Sequence, residues 1–167
     1  MKISVVIYAH NAVATLSKAI NSLLDQSYQA DEIIVVDDGS TDATSESTKV
    51  FEEVSLLRQK HMGKFSARNN GVMMASNPWI AFLDATETWD EDHLKKQVAF
   101  HQKSKALKIS VYSAEGPFLM QDALKKGRVE ASNVMIQQKL FDQLGGFDEA
   151  FEVGEDDELW IRAIESK

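Results

Sequence analysis

The run Ile33-Ile34-Val35-Val36 is apolar at every position, so a strand built from it must be covered on both faces. That requirement points to an α/β chain with helices on both sides of a mostly parallel sheet. The run gives way to Asp37-Asp38-Gly39-Ser40-Thr41-Asp42. Two carboxylates therefore stand where a buried strand ends. Ligands of open parallel sheets bind beyond the carboxyl ends of the strands, which makes Asp37 and Asp38 candidates for holding one. The competing reading is a turn in which aspartate accepts backbone N–H groups and Ser40 or Thr41 caps the next helix.

The same alternation of strand and helix runs through the first hundred residues. Ile3–Tyr8, Glu32–Val36, Val54–Arg58 and Trp79–Leu83 read as strands. Between them, Asn11 can cap a helix reaching about Asp25, with Leu16, Ile20, Leu23 and Leu24 on one face. Ala43–Glu53 reads as a weaker polar helix, and Glu91–Lys103 as a fourth helix. Lys64–Ala75 carries Ala67, Gly71 and Ala75 at i, i+4 and i+8, a small-residue stripe suited to close packing on a sheet. This order implies βαβ units. Further on, Ile109–Tyr112 and Val134–Ile136 read as strands, and Gln138–Leu144 as a short helix ended by Gly145-Gly146. Glu155–Glu165 reads as a last helix, while 114–131 shows no clear period.

At 167 residues, one domain spanning 1–167 is the natural reading, and 44% apolar content is enough for its core. A net charge of −8 argues against sequence-independent nucleic-acid binding. It leaves a nucleotide open, because a divalent cation offsets diphosphate charge locally. The absence of cysteine removes disulfides, thiolate metal sites and cysteine nucleophiles, and suits the cytoplasm. No apolar run is long enough to span a bilayer.

Three further clusters carry chemistry. Asp84-Ala85-Thr86-Glu87 follows the strand Trp79–Leu83, so Asp84 emerges at the same sheet edge as Asp37 and Asp38. Carboxylates at neighbouring strand ends suit Mg²⁺ or Mn²⁺, which prefer oxygen ligands. Alternatively, these acids only start the next helix. Gly145-Gly146-Phe147-Asp148-Glu149, followed by Gly154-Glu155-Asp156-Asp157, places five acids in two short runs. A carboxylate on a helix start is a candidate general base, against the plainer reading of a solvated acidic face. His61, Lys64 and Arg68 surround Gly63 at a strand-to-helix junction, where cations can meet phosphate. His10 follows the first strand at the same edge.

The stretches Ser4 to Asn11, Ser22 to Tyr28, Glu32 to Asp42, Ala67-Arg68-Asn69-Asn70-Gly71, Trp79 to Trp89, and the glycine-acid clusters near 145–156 occur in the order of a known family. With them the chain resembles a family 2 glycosyltransferase of GT-A fold, over nearly its whole length. The resemblance implies an α/β/α sandwich and an enzyme that transfers a hexose-type sugar, with inversion, from a nucleotide-sugar donor to a saccharide or lipid-linked acceptor. It implies UDP as the nucleotide and Mg²⁺ or Mn²⁺ as cofactor. The setting it implies is cell-envelope polysaccharide or glycolipid assembly, in the cytoplasm or at the inner face of the membrane. It places Asp38 on the nucleotide base; His10, Asp37, Lys64 and Arg68, read from their positions at the strand ends and the helix start, are expected around the nucleotide as well. Asp84 falls on ribose and metal, Glu87 on the metal, and Asp156 on the catalytic base. Thr86 and Glu87 stand where the family usually has two aspartates, and the chain is short after Asp156. A non-catalytic GT-A module that binds a nucleotide or a partner protein is the alternative. A phospho-acceptor receiver domain is a distant third, since Tyr8-Ala9-His10-Asn11 lacks the acids it needs after the first strand.

Overall fold

The computed structural model describes residues 1–104, 106–113, 115–127, 129–150 and 155–166, apart from the side chains of Glu155 and Asp156. Gly154, named above with the acids that follow it, lies outside the described residues. Seven strands form one sheet: β1 (Ile3–Ala9), β2 (Glu32–Asp38), β3 (Val54–Gln59), β4 (Trp79–Asp84), β5 (Ile109–Ser113), β6 (Gly116–Phe118) and β7 (Val134–Gln137). Their order is β3-β2-β1-β4-β7-β5-β6. The first four pair in parallel. Beyond β4 the sheet turns antiparallel, with β7 against β4, β5 against β7 and β6 against β5. The fold is therefore a mixed α/β sheet with a parallel half that carries the βαβ units.

The helices are α1 (Leu16–Leu24), α2 (Thr44–Ser47), α3 (Lys64–Met74), α4 (His93–Lys103), α5 (Met120–Lys126), α6 (Gln138–Leu144) and α7 (Glu155–Glu165). Two buried clusters flank the sheet, as period-2 alternation requires of strands covered on both faces. Val6, Ile34, Val36, Ile80 and Phe82 face α3, α5, α6 and α7. Val5, Ile7, Ile33, Val35 and Leu83 face α1 and α4.

Three local expectations are corrected. The helix expected from Asn11 begins only at Leu16, and Asn11 takes a positive φ of 48°. Its Oδ1 accepts the Thr41 N–H at 2.9 Å, while its own N–H donates to Ser40 Oγ at 2.9 Å. Ser40 therefore stitches the β1 loop to the β2 turn instead of capping a helix. The polar helix expected over 43–53 stops at Ser47 and is followed by a 3-10 turn at Thr48–Val50. There Ser47 and Thr48 hydroxyls donate to the carbonyls of Thr44 and Ser45, the local competition that makes Ser and Thr weak helix formers. The unreadable stretch after Ser113 contains β6 and α5, elements of three and seven residues.

Candidate active site at the strand ends

Parallel register sets three strand ends side by side. Tyr8 pairs with Val36 on one side and Asp84 on the other, and Ala9 pairs with Asp37. Alternation then separates the two adjacent aspartates. Asp38 and Asp84 share the α3 face with Tyr8, and Asp37 lies on the other. The Tyr8 phenol records this neighbourhood. Burial pushes its pKa up, the Asp38 and Asp84 carboxylates push it further, and Arg68 opposes them.

Asp37 holds the turn. It is fully buried, its Oδ1 accepts the Ser40 N–H at 2.9 Å, and the Ser45 hydroxyl donates to its Oδ2. Burial pushes its carboxyl up, but these bonds, helped by Arg58, outweigh that and hold it below the usual range. Asp38 is equally buried and faces the loop after β3. It accepts Gln59 Nε2 at 2.8 Å, the Met62 N–H at 2.8 Å and the Gly63 N–H at 3.0 Å. His61 Nδ1 lies 2.8 Å from its Oδ2, and His10 Nδ1 lies 2.7 Å from its carbonyl oxygen. The His10 and His61 rings stack with centroids 4.2 Å apart.

Asp84 is paired with Arg68, whose Nη2 lies 2.7 Å from Oδ1 and whose side chain is 2% exposed. A guanidinium so deeply buried needs a partner, and Arg68 also lies 5.6 Å from the Phe147 ring. Three residues after Asp84, burial pushes the Glu87 carboxyl up, with Asp84 and Glu130 adding to it against the nearby Ser132 hydroxyl and Arg68. Asp84 and Glu130 thus act on Glu87 through their charge, but among the described residues the three do not bring their oxygens together within 4.8 Å of one another, so the pair Asp84 and Glu87 is the donor set to weigh. Mg²⁺ or Mn²⁺ fits such a donor set, since one or two carboxylates with substrate phosphates suffice to hold it. Thr86, between them, is exposed. Lys64 opens α3 with its ammonium 4.6 Å over the Phe65 ring. It lines a cleft with His61, Gly63, Phe65 and Glu149.

Sequence reasoning missed the hub that assembles these pieces. Consecutive residues of α3 serve different partners. Arg68 reaches Asp84. Asn69 donates to the Phe147 carbonyl and Glu149 Oε1, both at 2.9 Å, and accepts the Phe147 N–H at 2.9 Å. Asn70 donates to Gln59 Oε1 at 2.7 Å, and Gln59 in turn holds Asp38. Gly71 lies against β1, where a Cβ would meet Val6 Cγ1 at 2.3 Å. The signal was present as the run Ala67 to Gly71, but spacing alone could not say what each residue touches. Glu130 was missed because it falls in the stretch without a period.

Asp156 sits in the first turn of α7, and its side chain lies outside the described residues. Its neighbour Asp157 is committed elsewhere: Oδ1 accepts the Val129 N–H at 3.0 Å, next to a bond from Trp160 Nε1 to the Val129 carbonyl at 3.1 Å.

Known proteins resemble this chain in sequence and in fold. TuaG of Bacillus subtilis (strain 168), a glycosyltransferase provisionally assigned to teichuronic acid biosynthesis, is 29% identical over 162 residues, covering 85% of this chain and 64% of TuaG. WfgD of Escherichia coli, a UDP-Glc:alpha-D-GlcNAc-diphosphoundecaprenol beta-1,3-glucosyltransferase, is 33% identical over 105 residues, covering 61% of this chain and 42% of WfgD. The chain thus spans under two thirds of either relative. The crystal structure of S. aureus TarS 1-349 in complex with UDP-GlcNAc superposes with a TM-score of 0.82 at 19% identity, over 98% of this chain and 53% of that one. The fold is GT-A. The family described as Glycosyl transferase family 2 matches residues 4–152, and the chain belongs to that family.

Proposed function

We propose that this chain is the GT-A domain of an inverting glycosyltransferase. It moves a sugar from a UDP-sugar to an acceptor hydroxyl on a saccharide or lipid-linked carrier, in cell-envelope polysaccharide or glycolipid assembly. The observation that carries the reading is the convergence of Asp38, Asp84 and Arg68 around Tyr8 at the carboxyl ends of β1, β2 and β4, where α/β folds bind nucleotides. UDP-GlcNAc bound to TarS and the UDP-Glc in the name of WfgD support the donor class.

In this reading Asp38 accepts from the nucleotide base and His10 lies against it, while Asp37 keeps the turn in shape. Arg68 orients Asp84 towards the ribose, and Lys64 faces the diphosphate. Asp84 and Glu87 would hold Mg²⁺ or Mn²⁺, which supplies positive charge to the leaving diphosphate; a structural neighbour from Pyrobaculum calidifontis is described in complex with GDP-Man and Mn²⁺. The acceptor hydroxyl is a weak nucleophile until a carboxylate takes its proton, and Asp156 is assigned that role.

Calorimetric titration with UDP, GDP and dTDP, each in Mn²⁺ and in chelator, tests the donor and metal sites together. The expected result is UDP binding that Mn²⁺ strengthens. A folded protein that binds none of the three would overturn the reading. Equal UDP binding in Mn²⁺ and chelator would remove the metal from it.

A further inference from the structure

Among the described residues, His10, Asp38 and His61 are the group of three metal-type side chains whose ligand atoms lie within 4.8 Å of one another. The hard-oxygen carboxylates around Asp84 are a separate set. We propose that these three residues form a second cation site, for a borderline-soft transition ion such as Zn²⁺ or Co²⁺.

Several observations converge on it. Both imidazoles present the same nitrogen to the same residue. His10 Nδ1 is 2.7 Å from the Asp38 carbonyl oxygen, and His61 Nδ1 is 2.8 Å from Asp38 Oδ2 and 3.2 Å from that carbonyl. Two ring protons thus converge on two oxygens of one buried aspartate. A cation with nitrogen and oxygen ligands can replace them there, and two histidines with one carboxylate is a donor set that Zn²⁺ favours over Mg²⁺. The carboxylate is already aimed, because the Met62 and Gly63 N–H groups and Gln59 fix its orientation. Ligands held from behind are what a metal site requires. The approach of the His61 loop is also built in. A Cβ at Gly39 would meet the His61 backbone nitrogen at 2.6 Å, so the residue after Asp38 must be glycine for His61 to sit there.

Tetrahedral Zn²⁺ with bonds of about 2.0–2.1 Å draws its ligand atoms nearer to one another than 4.8 Å. The stacked rings must therefore turn. His61, with 60% of its side chain exposed, is free to do so. Three protein ligands leave a fourth position open. On the reading that Asp38 and His10 hold the nucleotide base, an ion here occupies the same place, so Zn²⁺ and UDP exclude each other. That consequence rests on the proposed function; the metal site itself does not.

The test is titration of the nucleotide-free protein with Zn²⁺, and with Co²⁺ followed by its visible absorption. The expected result is one site of micromolar or tighter affinity, with the intense bands of low-symmetry cobalt. His61→Ala should weaken it at least tenfold, and His10→Ala likewise, whereas Asp84→Asn and Glu87→Gln should leave it within twofold. His61 is exposed, so circular dichroism should show His61→Ala folded like the parent. Absence of saturable Zn²⁺ binding at 100-fold molar excess overturns the proposal, as does unchanged affinity in folded His61→Ala. If Zn²⁺ binds but does not raise the apparent Kd for UDP, the metal site stands and the placement of the base at Asp38 falls.

Discussion

Two neighbouring aspartates do different work because a strand sends alternate side chains to opposite faces. Asp37 satisfies its own turn, while Asp38 holds the loop after β3 on the face of the proposed site. Asp38→Ala removes an acceptor from the proposed base pocket and should weaken UDP binding by about 1–3 kcal/mol, read by calorimetry. Asp37→Asn should leave that affinity within about threefold and lower the melting temperature instead, because it weakens bonds to Ser40 and Ser45. On α7, one acid has a structural role. Asp157 holds the Val129 N–H, which leaves Asp156 as the proposed base. Donor turnover measured on both variants distinguishes them. Asp156→Asn should keep nucleotide affinity within about twofold and lower sugar transfer by roughly 10²-fold or more. Asp157→Asn should mainly reduce stability. Transfer lost only in the Asp157 variant would reverse the assignment.

Helix α3 gathers the site. Its small stripe puts it against β1 and β2, and its polar residues then distribute to Asp84, the Phe147 loop and the Gln59–Asp38 pair. Gly71→Ala drives a methyl into Val6 and should destabilise the fold by about 1–3 kcal/mol, a change that urea denaturation resolves. The stripe was legible in the sequence because close packing needs small residues at i and i+4. The parallel half was legible for a related reason: strands buried on both faces are continuous apolar runs, as in Ile33–Val36. The antiparallel half was not. Among the described residues, 116–118 pair only with β5, and α5 is too short to show a 3.6-residue period. The caps expected at Asn11 and at Ser40 or Thr41 were misjudged because tertiary partners took over, and α4 too is served from afar. Gln26, far from α4 in sequence, accepts the Leu94 N–H at 2.9 Å and donates to the Asp90 carbonyl at 2.6 Å. Likewise Asn11 and Ser40 bond to each other's loops.

Across the whole molecule, the seam between the two halves is a buried polar stripe on α4. His93 is packed between Trp89 and Tyr112, with ring centroids at 4.0 and 4.1 Å. Gln97 accepts the Ser110 hydroxyl at 2.5 Å, and His101 Nε2 meets the same Ser110 oxygen at 2.8 Å. Because Ser110 gives its proton to Gln97, His101 donates from Nε2. Burial makes both imidazoles hard to charge. It lowers the His93 pKa to about 3, with Asp90 opposing and Lys96 assisting, and the His101 pKa to about 4, against the Leu107 backbone. In the unfolded chain both titrate near 6.5. Between that value and about 4 the unfolded state binds more protons than the folded one, so stability falls as pH falls. The loss is absent at pH 7.5 and reaches about 2 kcal/mol per histidine at pH 5, or roughly 4–8 °C each in a chain of this size. His93→Phe keeps an aromatic ring between Trp89 and Tyr112, and His101→Gln keeps a donor for Ser110. Each variant should therefore show a shallower drop in melting temperature between pH 7.5 and pH 5 than the parent, whatever its stability at pH 7.5. Parallel pH profiles for parent and variants would show that the two histidines already exchange protons with solvent in the native state, and that the seam between the parallel and antiparallel halves is not closed.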